Sequence, residues 1–141
     1  MIQNNTFLHT ADIEIRVRYS ETDQMGYCYY GNYAQYFEVG RVEALRSLGM
    51  SYKEMEEKGI MLPVSSFSVK YIAPAYYDDL LTITTRIVKL KGVRLYFEYE
   101  IKNEKGELIS TADTTLVFVD KINMRPTTPP ADFVSLFSLK K

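Results

Sequence analysis

The stretch that most constrains the fold of this chain is a long helix that is apolar on more than one side. It starts after Gly31 or Asn32, either of which suits an N-cap, and Gly49 suits its end. One arc carries residues at helical spacing, namely Tyr33, Phe37, Gly40, Ala44 and Leu48. Val39 and Val42 make the opposite side apolar too. Such a helix is predicted to be covered on most sides by other elements.

Most of the remaining chain alternates apolar and polar residues, which is the period of a strand with one buried face. Strands are predicted at 12–19, 63–72, 80–90, 93–102 and about 108–119. A short capping-box helix is predicted at 51–59, and an amphipathic turn or two after Pro130. Consecutive strands with short connections form an antiparallel sheet, which can curl around the helix. The predicted class is α+β, with a single domain over residues 1–141.

Composition excludes several kinds of function. The formal charge of −1 argues against broad attraction to nucleic acid, and no apolar run approaches the roughly 18 residues of a membrane span. No export signal is recognisable, so the cytoplasm is the expected compartment. One cysteine and one histidine preclude an internal disulfide and a Cys/His metal cluster within one protomer. Twelve tyrosines and no tryptophan favour an oligomer with tyrosine-lined clefts.

A Gly- and Tyr-rich loop, residues 19–33, places the acid Asp23 shortly before the long helix. A helix start presents unpaired N–H groups and the positive end of the dipole, so it can hold a developing oxyanion. A carboxylate beside it can attack or activate water, which suits acyl transfer. Taken alone, however, an aspartate in such a turn is more often a capping or Asx-turn residue.

The chain resembles the hotdog-fold acyl-CoA thioesterases of the 4-hydroxybenzoyl-CoA thioesterase type, including the YbgC-like branch. The resemblance covers nearly the whole chain and is carried by residues 18–26, 30–33, 36–38 and 71–81. It implies an antiparallel sheet wrapped around a long central helix and hydrolysis of an acyl-CoA to the free acid and coenzyme A. It also implies no metal or bound redox cofactor, a site between two subunits, and therefore a homodimer at least, with a tetramer expected.

The same resemblance assigns the catalytic residues. The loop carboxylate of the family falls on Asp23, as nucleophile or general base, and the carbonyl-polarising N–H groups fall on Tyr30 and Gly31. Many members carry His where this chain has Tyr30, whereas the benzoyl-type enzymes carry Tyr. This departure separates the chain from the YbgC-like members more than from thioesterases as a whole.

Candidate substrate contacts lie further along the chain. Glu38 is expected to pair with Arg41, one turn on, or to contact substrate. Ser65 or Ser66 is expected to contact the thioester or the pantetheine arm. The alternative is that both are sheet residues that face water. A final set of basic residues at strand turns suits the phosphates of coenzyme A, with ordinary solvated lysines and arginines as the alternative; these are Lys91, Arg94, Lys121 and Arg125.

Other functions remain as alternatives. A hotdog hydratase would rely on a histidine, but the one histidine, His9, lies outside the motif. Cys28 lacks a base in its motif and is interpreted as a packed thiol. A non-catalytic acyl-binding scaffold and an acyl carrier protein as thioester donor both stay open. The acyl group itself is not specified by the sequence.

Overall fold

The computed structural model describes residues 7–138, so residues 1–6 and 139–141 of the predicted domain lie outside the described part. Seven strands and three helices form within residues 7–138. In chain order they are β1 (His9–Arg16), α1 (Tyr33–Ser47), α2 (Tyr52–Glu57), β2 (Ile60–Met61), β3 (Val64–Tyr71), β4 (Leu80–Lys91), β5 (Arg94–Lys102), β6 (Leu108–Val117), β7 (Val119–Asp120) and α3 (Ala131–Ser138). Two short 3-10 turns, Tyr19–Glu21 and Tyr30–Asn32, precede α1.

Five strands form one antiparallel sheet in the order β1-β4-β5-β6-β3. Alternation along β4 turns Leu81, Ile83 and Ile87 toward the core, and all three are fully buried. α1 packs across this face, as the α+β prediction requires. The five predicted strands and the long helix are therefore confirmed, but the first strand is shifted: it was predicted at 12–19 and spans His9–Arg16, with a 3-10 turn beginning at Tyr19.

The face of α1 that meets the sheet is tightly packed. Phe37 and Ala44 are fully buried, and a Cβ atom at Gly40 would come within 2.6 Å of Oγ1 of Thr85 on β4. The prediction that α1 is covered on most sides is wrong for this chain, because the sheet covers one face only. Val39 on the other face remains 44% exposed.

The segments after α1 and β6 differ in detail from the sequence pattern. The capping box of α2 is confirmed, since Ser51 and Glu54 accept each other's backbone N–H groups at 3.2 Å. The last predicted strand breaks after Val117, and its end forms β7, which pairs with β2, a short strand that the pattern did not predict. α3 seats Phe133 against Phe118, with ring centroids 5.4 Å apart.

Antiparallel pairing gives the sheet two ends of different character. One end carries Arg16, Leu80, Lys102 and Tyr71, and we call it the loop end because the Asp23 loop lies there. The other end carries Val64, Lys91, Arg94 and Val117, and we call it the basic end.

The sheet also has two edges, β1 and β3. Seven of the eight residues of β3 are exposed, and Phe67 and Tyr71 have 42% and 47% of their surface accessible. On β1, the exposed positions carry Thr10 and the charged residues Asp12, Glu14 and Arg16.

Candidate functional site

The Asp23 loop is a tight turn at the loop end of the sheet. Asp23 N–H donates to the carbonyl of Tyr27 at 3.1 Å, and Gly26 N–H donates back to the carbonyl of Asp23 at 3.0 Å. Gly26 has φ +88°, a conformation that favours glycine. An isolated bridge between Thr22 and Cys28 closes the turn, so Asp23 sits at its base.

The Asp23 carboxylate is exposed and only half engaged. Its Oδ1 accepts the backbone N–H of Met25 at 2.9 Å, which is the Asx-turn geometry. Oδ2 has no hydrogen-bond partner within residues 7–138. One oxygen thus orients the side chain while the other is available to a substrate. Catalysis by Asp23 stays a prediction.

The start of α1 leaves two backbone donors unpaired. Tyr29 N–H donates to the carbonyl of Glu21 at 2.8 Å, and Asn32 N–H to the carbonyl of Tyr29 at 3.0 Å. The N–H groups of Tyr30 and Gly31, between them, make no hydrogen bond within residues 7–138. These two donors have the character expected of an oxyanion site.

Glycine at position 31 allows the ring of Tyr29 to lie close to the backbone. A Cβ atom there would lie 2.5 Å from Cε2 of Tyr29, whose ring covers this part of the backbone. Asn32 occupies the N-cap position of α1, but its side chain does not cap the helix. Instead its Nδ2 donates to the carbonyl of Glu21 at 2.8 Å.

Tyrosine rings form a wall beside the two free donors. The Tyr30 ring is 61% exposed and lies 4.7 Å from Tyr29 and 5.8 Å from Tyr71, centroid to centroid. Tyr71 also donates its hydroxyl to the carbonyl of Tyr30 at 3.2 Å and packs its ring 5.2 Å from that of Tyr33. Tyrosine rings are therefore grouped at the loop end, and the oligomer with tyrosine-lined clefts stays a prediction.

A buried carboxylate, Glu21, was missed by the sequence reasoning. It is 6% exposed and accepts the Tyr36 hydroxyl at 2.8 Å and three donors of Arg18 at 2.8 to 3.2 Å. Burial alone would raise the pKa of Glu21, but the hydrogen bonds from Arg18 and Tyr36 outweigh it and the pKa is lowered. In the sequence, the one indication of its role is that Glu21 lies three residues after Arg18, which is the spacing of a capping box.

The predicted pairing of Glu38 with Arg41 is wrong. Glu38 lies on the exposed face of α1, while Arg41 is 8% exposed and turns toward the sheet. There its Nε donates to the hydroxyl of Tyr52 at 3.0 Å and its Nη1 to that of Tyr99 at 3.3 Å. Substrate contact by Glu38 stays a prediction.

The remaining predicted contacts are not brought to Asp23 within one chain. Ser65 sits in a bulge of β3 and donates to the carbonyl of Thr115 at 3.1 Å, and Ser66 pairs with the same residue. Lys91 and Arg94 are exposed at the basic end. At about 3.3 Å per residue, β4 separates the two ends by about 36 Å.

The residues considered for other chemistry do not join this site. Burial raises the pKa of the Cys28 thiol, which lies 3.5 Å from the Tyr36 hydroxyl and is a packed group. His9 pairs with Ile87, far from the loop, and contacts Oγ of Ser47 through Nε2 at 2.7 Å. Within residues 7–138, no three His, Cys, Asp or Glu side chains are grouped so that they could hold a metal. The helices of this part are also too short or too polar to cross a membrane.

The sequence of this chain is similar to those of known proteins. The family model described as thioesterase superfamily matches residues 25–110, beginning two residues after Asp23. The Bacillus subtilis protein YneP is 38% identical over 119 residues, covering 84% of this chain and 86% of YneP. The acyl-CoA thioester hydrolase YbgC of Escherichia coli O157:H7 is 33% identical over 123 residues, covering 87% of this chain and 92% of YbgC.

Solved structures give the same result. The crystal structure of a DHNA-CoA thioesterase from Staphylococcus aureus superposes with a TM-score of 0.88 at 36% identity, covering 93% of this chain and 90% of that one. This match confirms the predicted hotdog fold, with the antiparallel sheet packed on the long helix.

Proposed function

This chain belongs to the thioesterase superfamily, and on that premise we propose that it hydrolyses an acyl-CoA thioester to a carboxylic acid and coenzyme A. Two features of the loop end together carry the proposal. The Asp23 carboxylate has one oxygen without a hydrogen-bond partner within residues 7–138, and the N–H groups of Tyr30 and Gly31 at the start of α1 are unpaired there too. No metal or bound redox cofactor takes part, and coenzyme A enters only as part of the substrate.

The reaction follows from where charge develops. The N–H groups of Tyr30 and Gly31 donate to the thioester oxygen and stabilise the oxyanion as the carbonyl carbon becomes tetrahedral. In one route Asp23 attacks that carbon, the thiolate of coenzyme A leaves, and water hydrolyses the mixed anhydride. In the other, Asp23 takes a proton from the attacking water. Both routes release one acid and one thiol.

A second copy of the chain is proposed to complete the site. β3 is an exposed edge strand, and two-fold antiparallel pairing with the β3 of another copy would double the five-stranded sheet. Antiparallel pairing sets the Val64 end of one β3 beside the Tyr71 end of the other. The basic end of one copy then faces the loop end of its partner. A tetramer made from two such dimers remains an expectation.

This arrangement gives each predicted substrate contact a place. Ser65 and Ser66 would approach the pantetheine arm of a substrate held at the partner's Asp23. Lys91 and Arg94 would meet the phosphates, with Lys121 and Arg125 on the β7 turn as further donors. Glu38, on the open face of α1, would face the acyl group. The cytoplasm remains the proposed compartment.

A substrate panel combined with an isosteric substitution tests the proposal. Purified protein is incubated with short, long and aromatic acyl-CoAs and with an acyl carrier protein thioester, and released thiol is read with a thiol-reactive dye. We expect turnover of at least one acyl-CoA, and we expect Asp23→Asn to lower kcat by on the order of 10³-fold while the protein stays folded. Asp12→Asn, an exposed aspartate on β1, is the matched control and should match the wild type.

Three results would count against parts of the proposal. Full activity of Asp23→Asn removes the assigned catalyst. Binding of acyl-CoA without turnover across the panel favours the acyl-binding scaffold. Turnover confined to the carrier-protein thioester identifies a different donor.

A further inference from the structure

We propose that Glu21 is a positioning residue, which holds the Asp23 arm and the two oxyanion donors in a fixed relation to each other. This inference rests on the proposed function, because it gives Glu21 a task only if Asp23, Tyr30 and Gly31 act together. It concerns a residue that touches neither substrate nor reacting atoms.

The side chain of Glu21 joins the end of β1 to the first turns of α1. Oε1 accepts the backbone N–H of Arg18 at 2.9 Å and the hydroxyl of Tyr36 at 2.8 Å. Oε2 accepts Nε and Nη2 of Arg18 at 3.2 and 2.8 Å. Both carboxylate oxygens are therefore occupied, and the group is 6% exposed.

The backbone of Glu21 joins the same point to the helix start. Its carbonyl accepts the N–H of Tyr29 and the Nδ2 of Asn32, both at 2.8 Å. The free N–H groups of Tyr30 and Gly31 lie between these two anchored residues. Asp23 is two residues further along from Glu21. One residue thus links both halves of the proposed site.

Charge and burial make this link stiff. A buried carboxylate that accepts several hydrogen bonds is costly to move when a buried donor is left without its partner, which applies to Tyr36 and not to the side chain of Arg18, which is 74% exposed. Tyr36 is 3% exposed, so its hydroxyl would lose its acceptor if Glu21 withdrew. The catalytic penalty for a displacement near 1 Å is about 10²-fold, so small shifts at Glu21 matter.

The test measures the kinetic parameters of variants and, separately, the stretching frequency of the substrate carbonyl. Glu21→Ala, Glu21→Gln and Tyr36→Phe are compared with wild type on the best acyl-CoA of the panel, with Glu14→Gln on β1 as the matched carboxylate control. We expect kcat to fall by on the order of 10²-fold in Glu21→Ala and about 10-fold in the two milder variants, with KM changed less than about threefold. Glu14→Gln should leave both parameters unchanged.

The second readout does not depend on turnover. A thioester labelled with carbon-13 at the carbonyl is bound to Asp23→Asn, and its stretching frequency is read by infrared difference spectroscopy. Polarisation by the two N–H groups lowers that frequency, and adding Glu21→Ala or Glu21→Gln should remove part of the shift. A purely structural role would lower the melting temperature and leave the frequency of the folded protein unchanged.

The outcomes separate this inference from the proposed function. If Asp23→Asn abolishes turnover but the Glu21 variants keep wild-type kcat or an unchanged carbonyl frequency, the positioning role is overturned and the thioesterase proposal stands. If Asp23→Asn is fully active, the catalytic assignment itself fails. Should Glu21→Ala not fold, Glu21→Gln and Tyr36→Phe decide the question.

Discussion

The two ends of the sheet differ in structure, and we propose that they serve different halves of a coenzyme A thioester. The loop end holds a carboxylate, two unpaired N–H groups and a wall of tyrosine rings. A network of hydrogen bonds around the start of α1 converges on Glu21, while the Asp23 turn is closed by its own backbone bonds. The basic end holds lysine and arginine side chains on exposed turns, with no such network around Lys91 or Arg94 within residues 7–138. The contrast teaches that bond cleavage requires fixed geometry, whereas phosphate attraction tolerates mobile charges. In the proposed arrangement, one chain holds both halves but not one complete site.

Among the variants that test this comparison of the two ends, the largest effect should come from separating neighbouring copies. Ser68 is exposed near the middle of β3, so Ser68→Asp would set two carboxylates close to the two-fold axis and beside Asp113. We expect a monomer by light scattering and a loss in kcat/KM of on the order of 10²-fold, since the shared site is lost. Ser68→Asn is the neutral control. A fully active monomer would disprove the shared site.

Substitutions at the basic end are expected to have a smaller effect, on KM and not on kcat. Lys91→Ala combined with Arg94→Ala should raise KM for acyl-CoA by about 10-fold, leave kcat within about twofold, and weaken the dependence of KM on salt. The matched control is Lys105→Ala, on the β5–β6 turn at the loop end. A fall in kcat with constant KM would show that these residues act on chemistry and not on phosphate binding.

Hybrid dimers of two variants test whether Asp23 and the basic residues of one site come from different copies. Chains with Asp23→Asn and chains with Lys91→Ala and Arg94→Ala are unfolded, mixed and refolded to form hybrid dimers. If each site takes Asp23 from one copy and its basic residues from the other, every hybrid has one intact site, and activity at low substrate concentration recovers. If both sets come from one chain, no hybrid site is intact and there is no recovery.

The smallest effect is the pH dependence that Glu21 gives to stability. Because its pKa is lowered in the folded state, its contribution is present above the unfolded pKa near 4.3 and is lost as pH falls through the folded pKa. Glu21→Gln should therefore cost about 1.5–3 kcal/mol of unfolding free energy at pH 7, and the gap to wild type should narrow below about pH 4. Thermal unfolding from pH 7 to 3 measures it, and a constant gap would contradict the assignment.

The sequence predicts the sheet well because burial imposes a regular alternation. β4 and β5 each alternate over nearly their whole length, and β4 was predicted to within one residue. β2 has two residues and pairs with a distant segment, so no local period marks it. The exposed face of α1 was mispredicted because Val39 is apolar, and hydrophobicity does not say whether the cover comes from the same chain.

The candidate site is predictable only in part. Asp23 was noticeable as an acid in a Gly- and Tyr-rich loop before a helix start, but the family resemblance assigned the catalytic roles to it and to the Tyr30 and Gly31 N–H groups. Glu21 and Arg41 were not recognised, because a charged residue in a sequence is normally exposed. Their burial depends on tyrosine hydroxyls from α1, α2 and β5, contacts that no local spacing reveals.

The unequal edges of the sheet limit how far strand pairing can proceed. β1 presents Asp12, Glu14 and Arg16 at its exposed positions, and such charges discourage addition of another strand. The β3 edge is mostly uncharged, so it is the edge of the sheet at which a strand of another chain can be added. If chains pair through this one edge, two copies related by a two-fold axis use up both edges, so edge pairing would not extend into an open-ended fibre.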